Sequence, residues 1–411
     1  MILEFSVENF LSFKEKVVFS MLANGTKGLE GNYLEILDKK VLKTSAIYGA
    51  NASGKSNLFK ILNLVGIMIK QSTNIDINTK LPITPFKFDN SDGLSKFEIK
   101  FIKNNVRYVY GFAATSKEIY EEYLYYYPNG REAKIFDRVN INEYSFPQAD
   151  VKILSEIKSK TANNKFFLST ATNWNYEKTK PAYDFLSIDL GVCFDTEELR
   201  NYAFSLYKSD TDGKLKKFAL DFLKKADFNI DDYEVNVVDI PKEILNSIPE
   251  PLRNITETKT FQTKFKHIID GKEYVLDYSD ESIGTQIIFT LIPFISIALE
   301  DRRILIVDEL DKSLHPFLIQ YIVSIFNDCE INKNGAQLIF NTHDTNLLNL
   351  NLLRRDQIWF TEKNTETGSS DLYSLSDFSV RSKEDIEKGY MLGRYGAIPF
   401  IITDINLWQE D

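Results

Sequence analysis

The sequence predicts an α/β protein, a mixed sheet with flanking helices, carrying an inserted and mostly helical subdomain. Three observations predict it. A strand-like run from Val41 to Ile47 passes through a glycine-bearing turn into a helix-like run from Ser56 to Lys70. A second apolar run, Arg303 to Val307, ends in two acids, Asp308 and Glu309. Between them lies a polar, lysine-rich stretch without the alternation seen on either side.

Each element follows from its pattern. Met1 to Val7 alternates as a strand, Asn9 to Phe13 turns, and Lys16 to Met21 forms a second strand. Leu58, Ile61, Leu62, Val65 and Ile69 fall on one face of a helix. Lys96 to Ile102 and Val106 to Ala113 alternate about Asn104-Asn105, which suits a hairpin turn. Residues 120–255 form the expected insertion, helical in pieces such as Leu215 to Lys225, whose lysines make a solvated face. Within it, Tyr123 to Tyr127 reads as a strand with core-facing tyrosines, since no basic run interleaves them for base stacking. Strand character returns at Lys259, with Asp270-Gly271 as a hairpin turn, and His267 reads as a solvated strand histidine. Ile287 to Leu299 reads as a buried helix, too short to span a bilayer. The division is then 1–119, 120–255 and 256–411.

Composition bounds the function. The chain has 411 residues, 43% of them hydrophobic, enough for a sizeable core. A net charge of -10 argues against a broad grip on duplex DNA, which requires phosphate neutralisation. Cys193 and Cys329 lack any paired ligand spacing, which excludes a cysteine metal cluster or disulfide framework. The opening residues lack a basic and apolar leader, so a reducing, cytoplasmic setting without membrane attachment is expected.

The chemistry sits in two motifs. Gly49-Ala50-Asn51-Ala52-Ser53-Gly54-Lys55-Ser56, followed by Asn57, fits a phosphate loop at every fixed position, with a strand before it and a helix after. Its glycines let backbone N–H groups turn toward phosphate oxygens, and the helix N-terminus adds partial positive charge. Lys55 would bridge the β- and γ-phosphates of ATP, and the Ser56 hydroxyl would ligate Mg²⁺. Asp308 and Glu309 end an Ile/Val run that reads as a buried parallel strand. Two carboxylates there need a cation nearby. Asp308 would hold the metal through water, and Glu309 would act as general base on the attacking water.

Together these residues resemble the ABC-type ATPases of the SMC, RecF and overcoming-lysogenization-defect branch. The resemblance extends to Phe5–Phe13, Leu353–Lys363 and Lys388–Pro399, and to Leu314-His315-Pro316 after the carboxylate pair. More narrowly, the chain is similar to compact ATPases of bacterial anti-phage and abortive-infection modules, such as AbiL and PARIS. The resemblance implies an ABC-type ATPase head of the P-loop NTPase class. It makes Glu281-Ser-Ile-Gly-Thr285 the signature, with Ser282, Gly284 and Thr285 facing the nucleotide of a second subunit. It makes His343 the switch residue at the γ-phosphate. Ile283 and Thr285 depart from the usual signature, Leu11 replaces an expected Arg, and no Q-loop glutamine is assignable, Gln71 being poorly placed.

The resemblance further implies a homodimer, or an assembly of dimers, acting as sensor or scaffold for a separate nuclease-like effector and answering a phage-encoded trigger. A DNA-repair or chromosome-associated ATPase that binds DNA directly is the alternative, and a non-hydrolysing assembly platform a third reading. No heptad run supports a long coiled-coil arm, and no acidic cluster follows the ATPase motifs.

Overall fold

A computed structural model describes residues 1–25, 28–88, 93–194, 196–240, 259–380 and 384–399. The boundary expected at 255/256 lies outside these residues.

A seven-stranded antiparallel sheet is built from β1 (Ile2–Glu8), β2 (Val17–Ser20), β6 (Ser95–Lys103), β7 (Val106–Ala114), β8 (Ile119–Tyr127), β9 (Ala133–Val139) and β10 (Glu143–Ser145), in the order β10-β9-β8-β7-β6-β1-β2. The two-stranded ribbon of β3 (Tyr33–Ile36) and β4 (Lys39–Leu42) leads from it to the second sheet. That sheet joins β5 (Thr44–Tyr48), β11 (Leu190–Cys193), β15 (Ile304–Val307), β16 (Gln337–Asn341), β17 (Ile358–Lys363) and β18 (Ser370–Ser374), in the order β11-β15-β16-β5-β17-β18. All its pairings are parallel except β17 with β18.

The central parallel strands β5, β15 and β16 are buried on both faces, and alternate residues serve two cores. Ile47, Ile304, Ile306 and Ile339 join the cluster shared with α1 (Lys55–Gln71) and the antiparallel sheet. Ala46, Leu305, Val307, Leu338 and Phe340 join the second cluster. Continuous apolar runs such as Ile304–Val307 are what burial on both faces demands.

The expectation of a separate insertion from residue 120 is corrected. That boundary falls at the start of β8, which pairs with β7 along its length, so the antiparallel sheet runs on through Ser145. The short helices α2 (Val151–Lys158), α3 (Phe167–Asn173) and α4 (Lys180–Asp184) follow, and their apolar residues belong to the same core as β1. The chain then returns to the parallel sheet as β11, at its edge beside β15. Polar residues hide the strand pattern here. Tyr123 and Tyr125 are only half-buried and donate to Glu98 and Asp137, while Leu124 between them faces the core. Tyr123 and Tyr125 are therefore on the outer face, not turned to the core as expected, while Tyr126 packs against the core beside Tyr108.

Two further helices, α5 (Thr196–Ser209) and α6 (Lys214–Lys225), lead into a three-stranded antiparallel sheet of β12 (Asp232–Asp239), β13 (Lys259–Ile269) and β14 (Lys272–Asp277). Asp270 (φ 51°) and Gly271 (φ 73°) form the tight turn between the last two, as the Asp-Gly pair requires. α7 (Ile283–Asp301) then crosses the second core with α8 (Pro316–Asn327), and α9 (Ile386–Met391) lies near the end of the described chain. α7 is long and apolar enough to cross a membrane, but Ile288, Phe289, Ile292 and Ile295 are packed inside this core.

Candidate nucleotide site

The strand order β15-β16-β5 sets the carboxyl ends of three buried parallel strands side by side. Ligands of open parallel sheets bind in such crevices. Gly49 follows β5, Asp308 follows β15 and Asn341 ends β16, so three separated stretches of sequence meet at one place.

The loop after β5 has the backbone of a phosphate nest. Gly54 precedes α1 at φ 116°, in the left-handed region, and a Cβ there would lie 2.5 Å from the Ser370 hydroxyl. Gly49 packs so closely on the Thr361 carbonyl that a Cβ would collide with it. The Ser53 hydroxyl meets Thr361 Oγ1 at 2.6 Å, fixing the loop to β17. Asn51 and Ala52 stay exposed, Ala50 and Asn57 are half-buried, and the N–H groups at the start of α1 have no helical partner. Lys55 is 6% exposed, and its Nζ donates to Gly49 O at 2.7 Å and Ala50 O at 3.0 Å. Burial lowers its pKa, against the pull of Asp308, Glu309 and Asp311.

Beside the loop, Ser56 Oγ donates to Asp308 Oδ1 at 3.0 Å. Asn341 joins the acids: its Nδ2 donates to the same Asp308 oxygen, and its Oδ1 accepts the Glu309 N–H. Glu309 sits at φ 53° and is exposed. That left-handed conformation turns the chain sharply after Asp308, so neighbouring acids separate, one engaged and one facing solvent. His343 stands on the rim, its backbone N–H given to Asp311 Oδ2 at 3.1 Å. Partial burial first, then the Lys55 charge, holds its pKa below the usual 6.5, against Asp311 and Glu309.

One cavity of about 610 Å³ runs along Asn51–Asn57 and takes in Glu309 and His343. Leu11, at the expected arginine position, lines it with Ser12, Phe86 and Phe88. Asp308 and Ser56 give one carboxylate and one hydroxyl beside the phosphate nest. Magnesium commonly takes such a sparse protein donor set, because water and phosphate oxygens complete its octahedron. Ser56, Asp308 and the loop therefore fit a Mg²⁺-nucleotide.

Ser282, Gly284 and Thr285 do not line this cavity. Ser282 caps α7, its Oγ accepting from the Thr285 N–H at 3.1 Å, and it is exposed. Gly284 packs on Ser313, whose carbonyl would lie 3.1 Å from a Cβ. Thr285 is buried and its hydroxyl meets Ser282 Oγ at 2.8 Å. It braces the cap instead of presenting a free hydroxyl, which corrects the expectation of a surface contact. His315 caps α8 through Nδ1, and Gln71 closes α1 at the end remote from the loop.

Sequence reasoning missed Asn341 and Asp311 as parts of this site. A polar residue ending the buried run Leu338-Ile-Phe-Asn341 was the available signal for the first. It also misread His267, which is buried at 8% exposure and joined to Glu281 at 2.7 Å.

The family described as "AAA domain, putative AbiEii toxin, Type IV TA system" matches residues 45–349. Among solved structures, the chain is similar to an SMC head domain from Thermotoga maritima. That match has 12% identity and a TM-score of 0.42, covering 91% of this chain and 98% of that one. It is also similar to the Smc head domain with an extended coiled coil bound to the C-terminal domain of ScpA, from Pyrococcus furiosus. Here identity is 16% and the TM-score 0.40, covering 96% and 98%. No curated protein sequence matches.

Proposed function

From the premise that the chain belongs to this AAA-domain family, we propose that it binds and hydrolyses ATP at sites shared between two subunits. We further infer that it serves as the sensor or scaffold of an anti-phage module and controls a separate effector. The observation that carries the catalytic reading is the meeting of Ser56, Asp308, Asn341 and Glu309 beside the phosphate nest.

The chain's own residues have distinct tasks in this reading. Gly49–Asn57 supplies N–H donors and a helix N-terminus to the phosphates. Lys55 exchanges its two loop carbonyls for phosphate oxygens, so a buried ammonium stays satisfied throughout. Ser56 and Asp308 would hold Mg²⁺, which neutralises charge on the phosphate oxygens. Glu309, exposed and free of the Ser56–Asp308 contact, takes a proton from the attacking water. Asn341 fixes the Glu309 backbone and leaves its carboxylate open to that water. His343 adds a rim contact at the γ-phosphate.

The shared site is supported by the signature residues. Ser282 is exposed at the N-terminus of a 19-residue helix, outside the cavity of its own chain, an arrangement suited to a phosphate on another subunit. A place in a two-component module is supported by the family description, which names a putative toxin of a toxin–antitoxin system. The net charge of -10 favours this over direct DNA clamping. Measuring ATP turnover and DNA binding across a salt series tests both. Absence of turnover removes the ATPase reading, and tight, steeply salt-dependent DNA binding favours the clamp.

A further inference from the structure

The turn before Ser282 is tied to the three-stranded sheet by a buried pair. On β13, His267 places Nδ1 2.8 Å from the carbonyl oxygen of Asn229, in the loop before β12, and Nε2 2.7 Å from Glu281 Oε1. A backbone carbonyl only accepts, and so does an ionised carboxylate. A neutral imidazole has one N–H and satisfies one of them. Both contacts are met only if the pair holds one extra proton, either as imidazolium beside carboxylate or as neutral imidazole accepting from a carboxyl O–H.

Besides the packing of Tyr278 on Phe204 and Phe265, the other hydrogen bonds of this turn run to its own neighbours. Glu281 O accepts from Gln286 Nε2 at 2.9 Å, Glu281 N–H is given to Tyr278 O at 3.3 Å, and the Tyr278 hydroxyl donates to Gln286 O at 3.2 Å. These move with α7. The side-chain contact of Glu281 with His267 instead fixes the turn to β13.

We propose that His267 is the positioning residue of the signature turn: the proton it shares with Glu281 holds Ser282 where that residue faces a second subunit. This rests on the shared-site reading above. Tyr274 is the cross-strand neighbour on β14, and Asp231 accepts the Ile268 N–H at 2.7 Å. Lys266 is the adjacent cation, on the opposite sheet face, and it is matched by Glu273 at 2.5 Å. From α5, Arg200 stands over the Tyr278 ring at 5.8 Å.

Replacement of Glu281 by Gln separates charge from shape. The Gln amide donates to Nε2 of a neutral imidazole while Nδ1–H donates to Asn229, so the tie survives without the extra proton. The test uses the full chain carrying Glu309→Gln, in which bound ATP is retained. Mg-ATP-driven association is followed by sedimentation, with His267→Ala and Glu281→Gln added singly. Glu281→Gln, which keeps the tie, should associate as the native pair does, and His267→Ala should associate roughly tenfold or more weakly, while calorimetric ATP binding is unchanged in both. Association lost with Glu281→Gln, or full association with His267→Ala, overturns the proposal. If no protein associates, the shared-site reading has failed instead. Amide exchange at residues 282–286 without nucleotide then decides the positioning role: His267→Ala must exchange faster there and Glu281→Gln must not. Equal rates in all three overturn it.

Discussion

Ser56 Oγ and Asp308 Oδ1 lie 3.0 Å apart, although 252 positions separate them in the chain. One is the first-turn hydroxyl of α1 and the other follows β15. In the proposed site their meeting is where a divalent cation would be held against the nucleotide. Ser56→Ala removes one ligand. Calorimetry with and without magnesium should then show an ATP affinity that gains little from the metal. A full magnesium gain in this variant would place the cation elsewhere.

Lys55 is the buried cation of the loop, resting on Gly49 O and Ala50 O. Lys55→Ala should weaken ATP binding by about 2 kcal/mol, the scale of a charge-assisted hydrogen bond. Unchanged affinity by isothermal titration would remove the phosphate-loop assignment. Glu309→Gln keeps the shape of the site and deletes the base. Turnover should fall about a hundredfold or more while ATP stays bound. Phosphate release at the native rate would show that Glu309 is not the base.

His343 has a pKa held below 6.5 by partial burial and by the Lys55 charge. The fold thus favours the neutral ring. Its contribution to stability is present above pH 6.5 and lost as pH falls through the lowered value. Histidine NMR on this three-histidine chain should give His343 a midpoint below 6.5, assigned by its loss in His343→Ala. A midpoint at or above 6.5 would contradict the arrangement of charges at the rim.

Stability rests in part on a buried pair far from the site. Arg138 and Glu122 are 1% and 0% exposed, with nitrogen and oxygen 3.9 Å apart. Glu122 accepts the Phe167 and Leu168 N–H groups at the start of α3. Burial raises its pKa above 4.5, and Arg138 opposes that shift. Arg138→Met should cost about 3 to 5 kcal/mol in denaturant unfolding, because it leaves a buried acid uncompensated. A raised acid pKa gives stability at low pH that is lost as pH rises through it. The deficit should therefore widen as pH rises through the native protein's raised Glu122 value, where the native acid ionises before the variant's does. A pH-independent deficit would show that Glu122 remains protonated with or without Arg138.

Much of this site was legible in the chain. The phosphate loop carries its own context, because β5 and α1 are adjacent in sequence, and the helix expected over Ser56–Lys70 is found as Lys55–Gln71. The Ile/Val run of β15 announced burial on both faces. What could not be read was pairing between distant strands. β8 has only three fully buried residues among nine, so its place in the sheet depends on β7 and β9, and it read as part of an insertion. Asn341 is meaningful only once β16 lies beside β15. His267 is flanked by Lys264 and Lys266 and suggested a solvated strand, because alternation does not tell which face is covered.

The shared active site is open to a test by mixing. Ser282 is exposed at the cap of α7 and does not line the cavity of its own chain, whereas Lys55 does. If each site takes Lys55 from one subunit and Ser282 from the other, neither subunit alone is complete. A ligand contacting both then favours their association by its differential affinity. Mg-ATP should therefore convert Glu309→Gln protein into a dimer, seen by sedimentation. Ser282→Arg should block this by placing bulk and charge in the seam, while ATP binding to the phosphate loop persists. Mixing Ser282→Arg with Lys55→Ala protein, each inactive alone, produces a dimer with one doubly broken site and one intact site. Part of the turnover should return. If mixed dimers form and nothing returns, cross-linking across the seam separates the two remaining causes. A cross-link between Ser282 and the loop of the other subunit means that sites fire only in pairs. A cross-link confined to one chain means that the signature serves its own subunit, and the shared site is wrong.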